Sequence, residues 1–91
     1  PAPQDFEFAL KNYPNPFNAG TTFEFSLEKA GMVRLEIINS AGQSVYASGQ
    51  RSFSAGRHVM RWDANHLPSG IYYARLISAS GVSTRKVALI K

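Results

Sequence analysis

Short runs in which apolar and polar residues alternate predict an all-β chain. Turn signals about every 8 to 12 residues arrange those runs as a β-sandwich of about seven short antiparallel strands. Three runs carry the alternation most plainly. Phe23, Phe25 and Leu27 interleave with Thr22, Glu24 and Ser26; Val33, Leu35 and Ile37 with Arg34 and Glu36; His58, Met60 and Trp62 with Val59, Arg61 and Asp63. No stretch repeats with the helical period, and no unit of solenoid length recurs.

Composition narrows the function classes. The chain has 91 residues, enough for one domain and too few for two cores. It has no cysteine, so disulfides and thiolate metal sites are excluded and packing must supply the stability. The net charge of +4 is modest. Arg34, Arg61, Arg75 and Arg85 alternate with apolar residues as outward strand positions, which argues against a nucleic-acid partner. No apolar run approaches the ~18 residues of a membrane-spanning helix. The first residue is Pro1, and Pro1-Ala2-Pro3-Gln4-Asp5 reads as the tail of a linker, so a module cut from a longer protein is expected, with any targeting leader upstream.

In chain order, residues 1–9 are expected to be a linker remnant, with Phe6, Phe8 and Leu10 sketching an edge strand that Pro14 soon ends. Asn12-Tyr13-Pro14-Asn15-Pro16-Phe17-Asn18 cannot be helix, because Pro14 and Pro16 also push the residues before them out of the helical region. An extended path is expected there, with Tyr13 and Phe17 about 12 Å apart as anchors against the sandwich. Asn12, Asn15 and Asn18 are available to bond backbone groups left free nearby.

The strand carrying Phe23 ends at a turn over Glu28-Lys29-Ala30-Gly31. The next closes at Asn39-Ser40-Ala41-Gly42, where glycine suits a hairpin position of positive φ. Ser44 to Ser48 reads as a short strand with Val45 and Ala47 on one face and Tyr46 on the other. Gly49 to Gly56 reads as a loop. Trp62 is expected inward as the largest core residue. Pro68-Ser69-Gly70 precedes a strand with Tyr72, Ala74 and Leu76 inward and Ile71, Tyr73, Arg75 and Ile77 outward. Ala79-Ser80-Gly81 makes the last hairpin, and Thr84 to Lys91 the last strand, with Val87 and Leu89 inward.

The order Asn12 to Asn18, Thr21-Thr22, Val33 to Ile37, Gly42 and Val45 resembles the C-terminal sorting domain of proteins exported by the type IX secretion system. Ala55 to His58, Trp62-Asp63, Leu67-Pro68-Ser69-Gly70-Ile71-Tyr72, Arg75-Leu76 and Arg85 to Lys91 continue the resemblance over residues 10–91. It is also similar to the immunoglobulin-like domain of the flagellar hook-capping protein, so an immunoglobulin-like sandwich is implied. Ala19 and Asn39 depart from the family's usual proline and aspartate without removing a strand or turn. The resemblance implies a non-catalytic signal at the C-terminus of a secreted enzyme or adhesin of Bacteroidetes-type bacteria. Its partners would be the outer-membrane secretion machinery, a sortase-like peptidase and the attached upstream cargo domain, and the cargo would pass the periplasm and outer membrane to the surface or the medium.

Candidate recognition residues follow from this. Gly70, Ile71 and Tyr72 form the family's characteristic short motif, with Lys86 and Lys91 the terminal basic residues. Structurally, Gly70 relaxes a turn, Tyr72 fills the core with its hydroxyl bonded to a loop, and both lysines protect an edge. Tyr46, Ile71, Tyr73 and Ile77 form an interaction patch if neighbouring strands bring them together. Tyr13, Pro14, Pro16, Phe17 and Trp62 are structural anchors. Catalytic, cofactor and metal residues are not expected: His58 and His66 stand apart, and Asp5 with the asparagines lacks the dense acidic loop that calcium favours. Two alternatives remain. A carbohydrate-binding module would need Trp62 exposed as a platform with Tyr46 and Tyr73, and a structural scaffold would show self-association.

Overall fold

The computed structural model describes residues 10–79 and 81–91. The positions of Phe6 and Phe8, the linker remnant over 1–9, and Ser80 lie outside the described residues. Among the described residues eight strands follow one another: β1 (Lys11–Tyr13), β2 (Gly20–Leu27), β3 (Gly31–Asn39), β4 (Ser44–Ala47), β5 (Arg51–Phe53), β6 (Gly56–Asp63), β7 (Gly70–Ser78) and β8 (Gly81–Leu89). They form two antiparallel sheets, one ordered β1-β2-β6 and the other β4-β3-β7-β8, with β5 also pairing β3. The all-β sandwich expected from the alternation is therefore the observed architecture.

Side-chain alternation explains why the two sheets face each other. Phe23 and Phe25 on β2 and Met60 and Trp62 on β6 point inward against Val33, Leu35 and Ile37 on β3, Tyr72, Ala74 and Leu76 on β7, and Val87 and Leu89 on β8. Cross-strand register keeps each inward residue opposite another, as with Phe23 and Met60, Leu35 and Leu76, and Tyr72 and Val87. Trp62, only 3% exposed, sits at the centre. Its ring centroid lies 5.8 Å from Phe17, 6.2 Å from Tyr46, and 6.4 Å from both Phe23 and Tyr72. Those separations are within the range of favourable tilted and edge contacts. A sugar platform built on Trp62 is excluded by this burial.

Local sequence sets the hairpins. Between β3 and β4, the Asn39 side-chain oxygen accepts from the backbone N–H of Ala41 and of Gln43, and Gly42 N–H donates to the Asn39 carbonyl. Gly42 takes φ 85°, the left-handed conformation that a side chain resists. Before β7, the Tyr72 hydroxyl donates to the Pro68 carbonyl at 2.7 Å, a tyrosine corner that fixes the loop to the strand.

Four expectations need correction. Tyr46 does not face outward: it lies opposite inward-facing Ile37 and packs on the core, because a register shift between Ile37 and Ile38 resets the short β4 ladder. The presumed loop from Gly49 to Gly56 contains β5, too short for alternation to reveal it, with Phe53 edge-on to Phe25 at 5.2 Å. The last strand begins at Gly81 rather than Thr84, because hairpin pairing starts at Ser78 and Gly81, and it ends at Leu89. Finally, the chain bends over residues 14–16, where the Tyr13-Pro14 and Asn15-Pro16 bonds are cis, so it does not run extended from Tyr13 to Phe17.

That bend separates the two supposed anchors. Phe17 is buried to 2% exposure against Trp62, whereas Tyr13 is 50% exposed. The Tyr13 hydroxyl donates to Glu24 Oε1 at 3.2 Å. Desolvation, with that hydrogen bond and the Glu24 charge, raises the phenol above its ordinary pKa.

Around the bend, side-chain amides replace the missing ladder. Asn12, buried, donates to Thr21 Oγ1 at 3.3 Å, and Thr21 donates to the Pro14 carbonyl at 2.9 Å. Asn12 Oδ1 accepts from Arg85 Nε at 3.0 Å and from Asn15 Nδ2 at 3.4 Å. Asn15 in turn donates to the Lys86 carbonyl at 3.2 Å and accepts from Ala88 N–H at 3.1 Å. Phe17 N–H donates to the Ala88 carbonyl and Ile90 N–H to the Phe17 carbonyl, at 2.9 and 2.8 Å. The outer edge of β8 from Lys86 to Ile90 is thereby covered by the N-terminal segment.

Trp62→Ala is expected to lower unfolding free energy by about 3–5 kcal/mol, read as a shift of the urea midpoint. Phe17→Ser is expected to cost a comparable amount, about 3 kcal/mol or more, while Tyr13→Ser changes stability by less than about 0.5 kcal/mol. Asn12→Ala leaves buried partners unpaired and is expected to cost about 1–3 kcal/mol in the same measurement.

Candidate recognition surface

The outward face of the five-stranded sheet is where the predicted residues meet. Cross-strand partners share a face, so the registers assemble it row by row. Ile71 stands beside Ala88. Tyr73 lies between Ile38 and Lys86, Arg75 between Glu36 and Thr84, and Ile77 between Arg34 and Val82. Ile71, Val82 and Met32 are among the exposed large apolar residues, and Ile38, Tyr73 and Ile77 are half-buried beside them.

Two apolar zones result, divided by one ion pair. Arg75 reaches Glu36 Oε1 at 3.3 Å across the middle of the sheet. On one side lie Ile38, Tyr73 and Ile71 with Lys86; on the other lie Ile77, Val82 and Met32 with Arg34. An open depression of about 420 Å³ adjoins the second zone, lined by Met32, Arg34, Gln50, Ile77, Ser78 and Ala79. With Arg34, Arg75 and Lys86 set against one carboxylate, the face carries excess positive charge. It suits a partner that offers apolar side chains flanked by acidic groups.

The other predicted residues are placed elsewhere. Tyr72 points into the core, and Gly70 opens β7 with its Cβ position clear, the nearest atom being Tyr72 Cε1 at 4.0 Å. Lys91 binds the loop before β7, its N–H donating to Ser69 Oγ at 2.9 Å and its ammonium to the Asn65 carbonyl. Pro14 and Pro16 lie in the bend. Sequence reasoning missed Ile38, Met32 and Val82. Ile38 was hidden at the turn, Met32 at a strand start, and Val82 between the expected hairpin and the strand expected from Thr84, although extending the period two residues from Arg34 or Thr84 would have placed the last two.

Polar groups elsewhere are engaged structurally. His58 Nε2 lies 2.8 Å from the Ser54 carbonyl, with its ring against both Phe25 and Phe53. The Asn12 and Asn15 oxygens that calcium would need already accept from Arg85, Asn15 and Ala88. Among the described residues, no group of three His, Cys, Asp or Glu side chains could hold a metal ion.

Among curated proteins none matches the chain. A family model described as the secretion system C-terminal sorting domain matches residues 11–91, from β1 through the last residue, which takes in both sheets, the asparagine-rich bend and the tyrosine corner. A match over nearly all of the fold shows that the chain belongs to this family: it is a sorting domain of the type IX secretion system.

Proposed function

We propose that the outward face of the five-stranded sheet is the surface through which the export machinery reads this domain. The sorting role implies contact with that machinery and a cargo to be carried to a surface or secreted fate. The observation that supports the location is the register of β3, β7 and β8, which sets Ile71, Tyr73, Ile77 and Lys86 together with Ile38, Val82 and Arg34 on one face. Scattered apolar surface residues carry no meaning singly; apolar groups gathered on one face among basic residues are the pattern of an interaction site.

In this reading the domain is non-catalytic and is recognised folded. The inward residues, Tyr72 and Trp62 among them, hold the sandwich, and the outward residues supply the contact. The cargo precedes the domain, crosses the periplasm and outer membrane with it, and is then separated from it by a sortase-like peptidase. Lys91 contributes by pinning the loop that carries Gly70 rather than by touching a partner. A carbohydrate-binding role has no support, since its central aromatic is buried.

The test is a periplasmic reporter fused ahead of residues 1–91 in a host with type IX machinery. The unaltered fusion is expected at the cell surface or in the medium. Tyr73→Glu with Ile77→Glu is expected to reduce export about tenfold or more while the melting temperature of the isolated domain stays within a few degrees. Ser26→Glu, on the outward face of the other sheet, is expected to leave export unchanged. Equal export by the Tyr73/Ile77 variant would place the recognition surface elsewhere.

A further inference from the structure

Strand β6 has a different kind of surface. Ala64 N–H donates to the Ala19 carbonyl, so those two residues form a hydrogen-bonded antiparallel pair, and the continuous β2–β6 register extends that phase along the strand. The backbone groups of His58, Met60 and Trp62 therefore point to β2. Those of Arg57, Val59, Arg61 and Asp63 point away from it, and among the described residues no other strand pairs β6.

Among the described residues the other sheet edges are short or, on β8, covered over the C-terminal half. β1 and β5 have three residues and β4 has four. The β8 edge is occupied by Asn15 and Phe17 from Lys86 to Ile90. β6 offers eight residues with no bulge and no proline, and Val59 in its middle is 60% exposed. A strand edge of this kind is a template for another strand.

The charges on the strand choose the occupant. We infer that β6 pairs antiparallel with β6 of a second copy of this chain, about a two-fold axis at Met60, joining two three-stranded sheets into one. In that register Arg57 of each copy faces Asp63 of the other, and Val59 faces the aliphatic stem of Arg61. Each of these residues exchanges both backbone hydrogen bonds with its opposite number. Moving the axis to Val59 sets Arg57 against Arg61, and moving it to Arg61 sets two guanidinium groups on the axis. Like charges directly opposite are destabilising, so the arginines reject those two registers and permit the first. In the single chain Arg57 pairs with Glu24 at 2.8 Å and Asp63 lies 3.8 Å from Arg61, all on the same sheet.

This association is independent of the face proposed for export, which belongs to the other sheet. It buries one strand edge, well below the area of a standard interface, so it is sought at protein concentrations up to about 1 mM by sedimentation equilibrium. A monomer–dimer equilibrium is expected, with slowed amide exchange at Arg57, Val59, Arg61 and Asp63 as concentration rises. Val59→Pro removes an N–H that serves only the outer edge, so the monomer is expected to fold and the dimer to disappear; Val59→Lys serves the same purpose if proline unfolds the strand. Arg57→Asp alone and Asp63→Arg alone are each expected to weaken dimerisation about tenfold, and the double exchange to restore it. A chain that stays monomeric at about 1 mM, or a dimer that survives both Val59 variants, overturns the inference. A charge exchange that fails to restore association overturns the register.

Discussion

The structure depends on a substitution of side-chain amides for backbone amides around two prolines. Pro14 and Pro16 have no N–H, and the segment that carries them must still close one side of the sandwich. Asn15 solves the problem by presenting a carbonyl and an NH₂ to β8 in the positions a strand backbone would use. Asn12 then ties the bend inward to Thr21 and across to Arg85, linking the three-stranded sheet to the five-stranded one. Because Asn12 and Thr21 are buried, these bonds are exchanged with solvent only at the cost of opening the fold. The network also seats Phe17 against Trp62, so the polar tie and the aromatic core hold each other in place.

How much of this was legible in the sequence depends on how many residues each element offers to the pattern. The long strands showed themselves because alternation over eight or nine residues has one reading: β2, β3, β6 and β7 place their inward residues as the period requires. β5 and β4 did not, since three or four residues cannot establish a phase and a register shift reverses it, which is how Tyr46 came to face the core. The asparagines of the bend were legible as backbone partners in general. Their particular partners on β8 lie more than seventy residues away, and no local rule reaches that far. Tyr13 and Phe17 looked equivalent because both are aromatics flanking prolines; the bend between them gives one to the core and the other to solvent.

The face proposed for recognition was half legible for the same reason. Ile71, Tyr73 and Ile77 share a strand, so their common direction follows from the period alone. That Ile38, Val82, Arg34 and Lys86 join them is a fact of register between strands far apart in sequence, set by hairpin phase and core packing. Family membership identifies the role without choosing the surface, since a motif such as Gly70-Ile71-Tyr72 holds residues of opposite fate. Tyr72 closes a corner on Pro68, while Ile71 next to it is exposed.

A sorting domain has to be stable as a fold while presenting contact groups to other molecules, and alternation lets one strand meet both demands. On β7 the inward residues answer to packing and the outward ones are left for the contact proposed above, so changes on one face leave the other's geometry in place. The edges divide differently. β8 has β7 on one side and would be free to fray on the other, and the asparagine bend covers the part of it nearest the core residues Val87 and Leu89. Among the described residues β6 has no such cover, and Trp62 and Met60 anchor it from the inward side, Trp62 through its ring contacts with Phe17 and Phe23. Its outer edge is therefore held straight and intact by the core rather than by a neighbour. That rigidity makes an uncovered edge able to pair with another strand, instead of being lost to fraying.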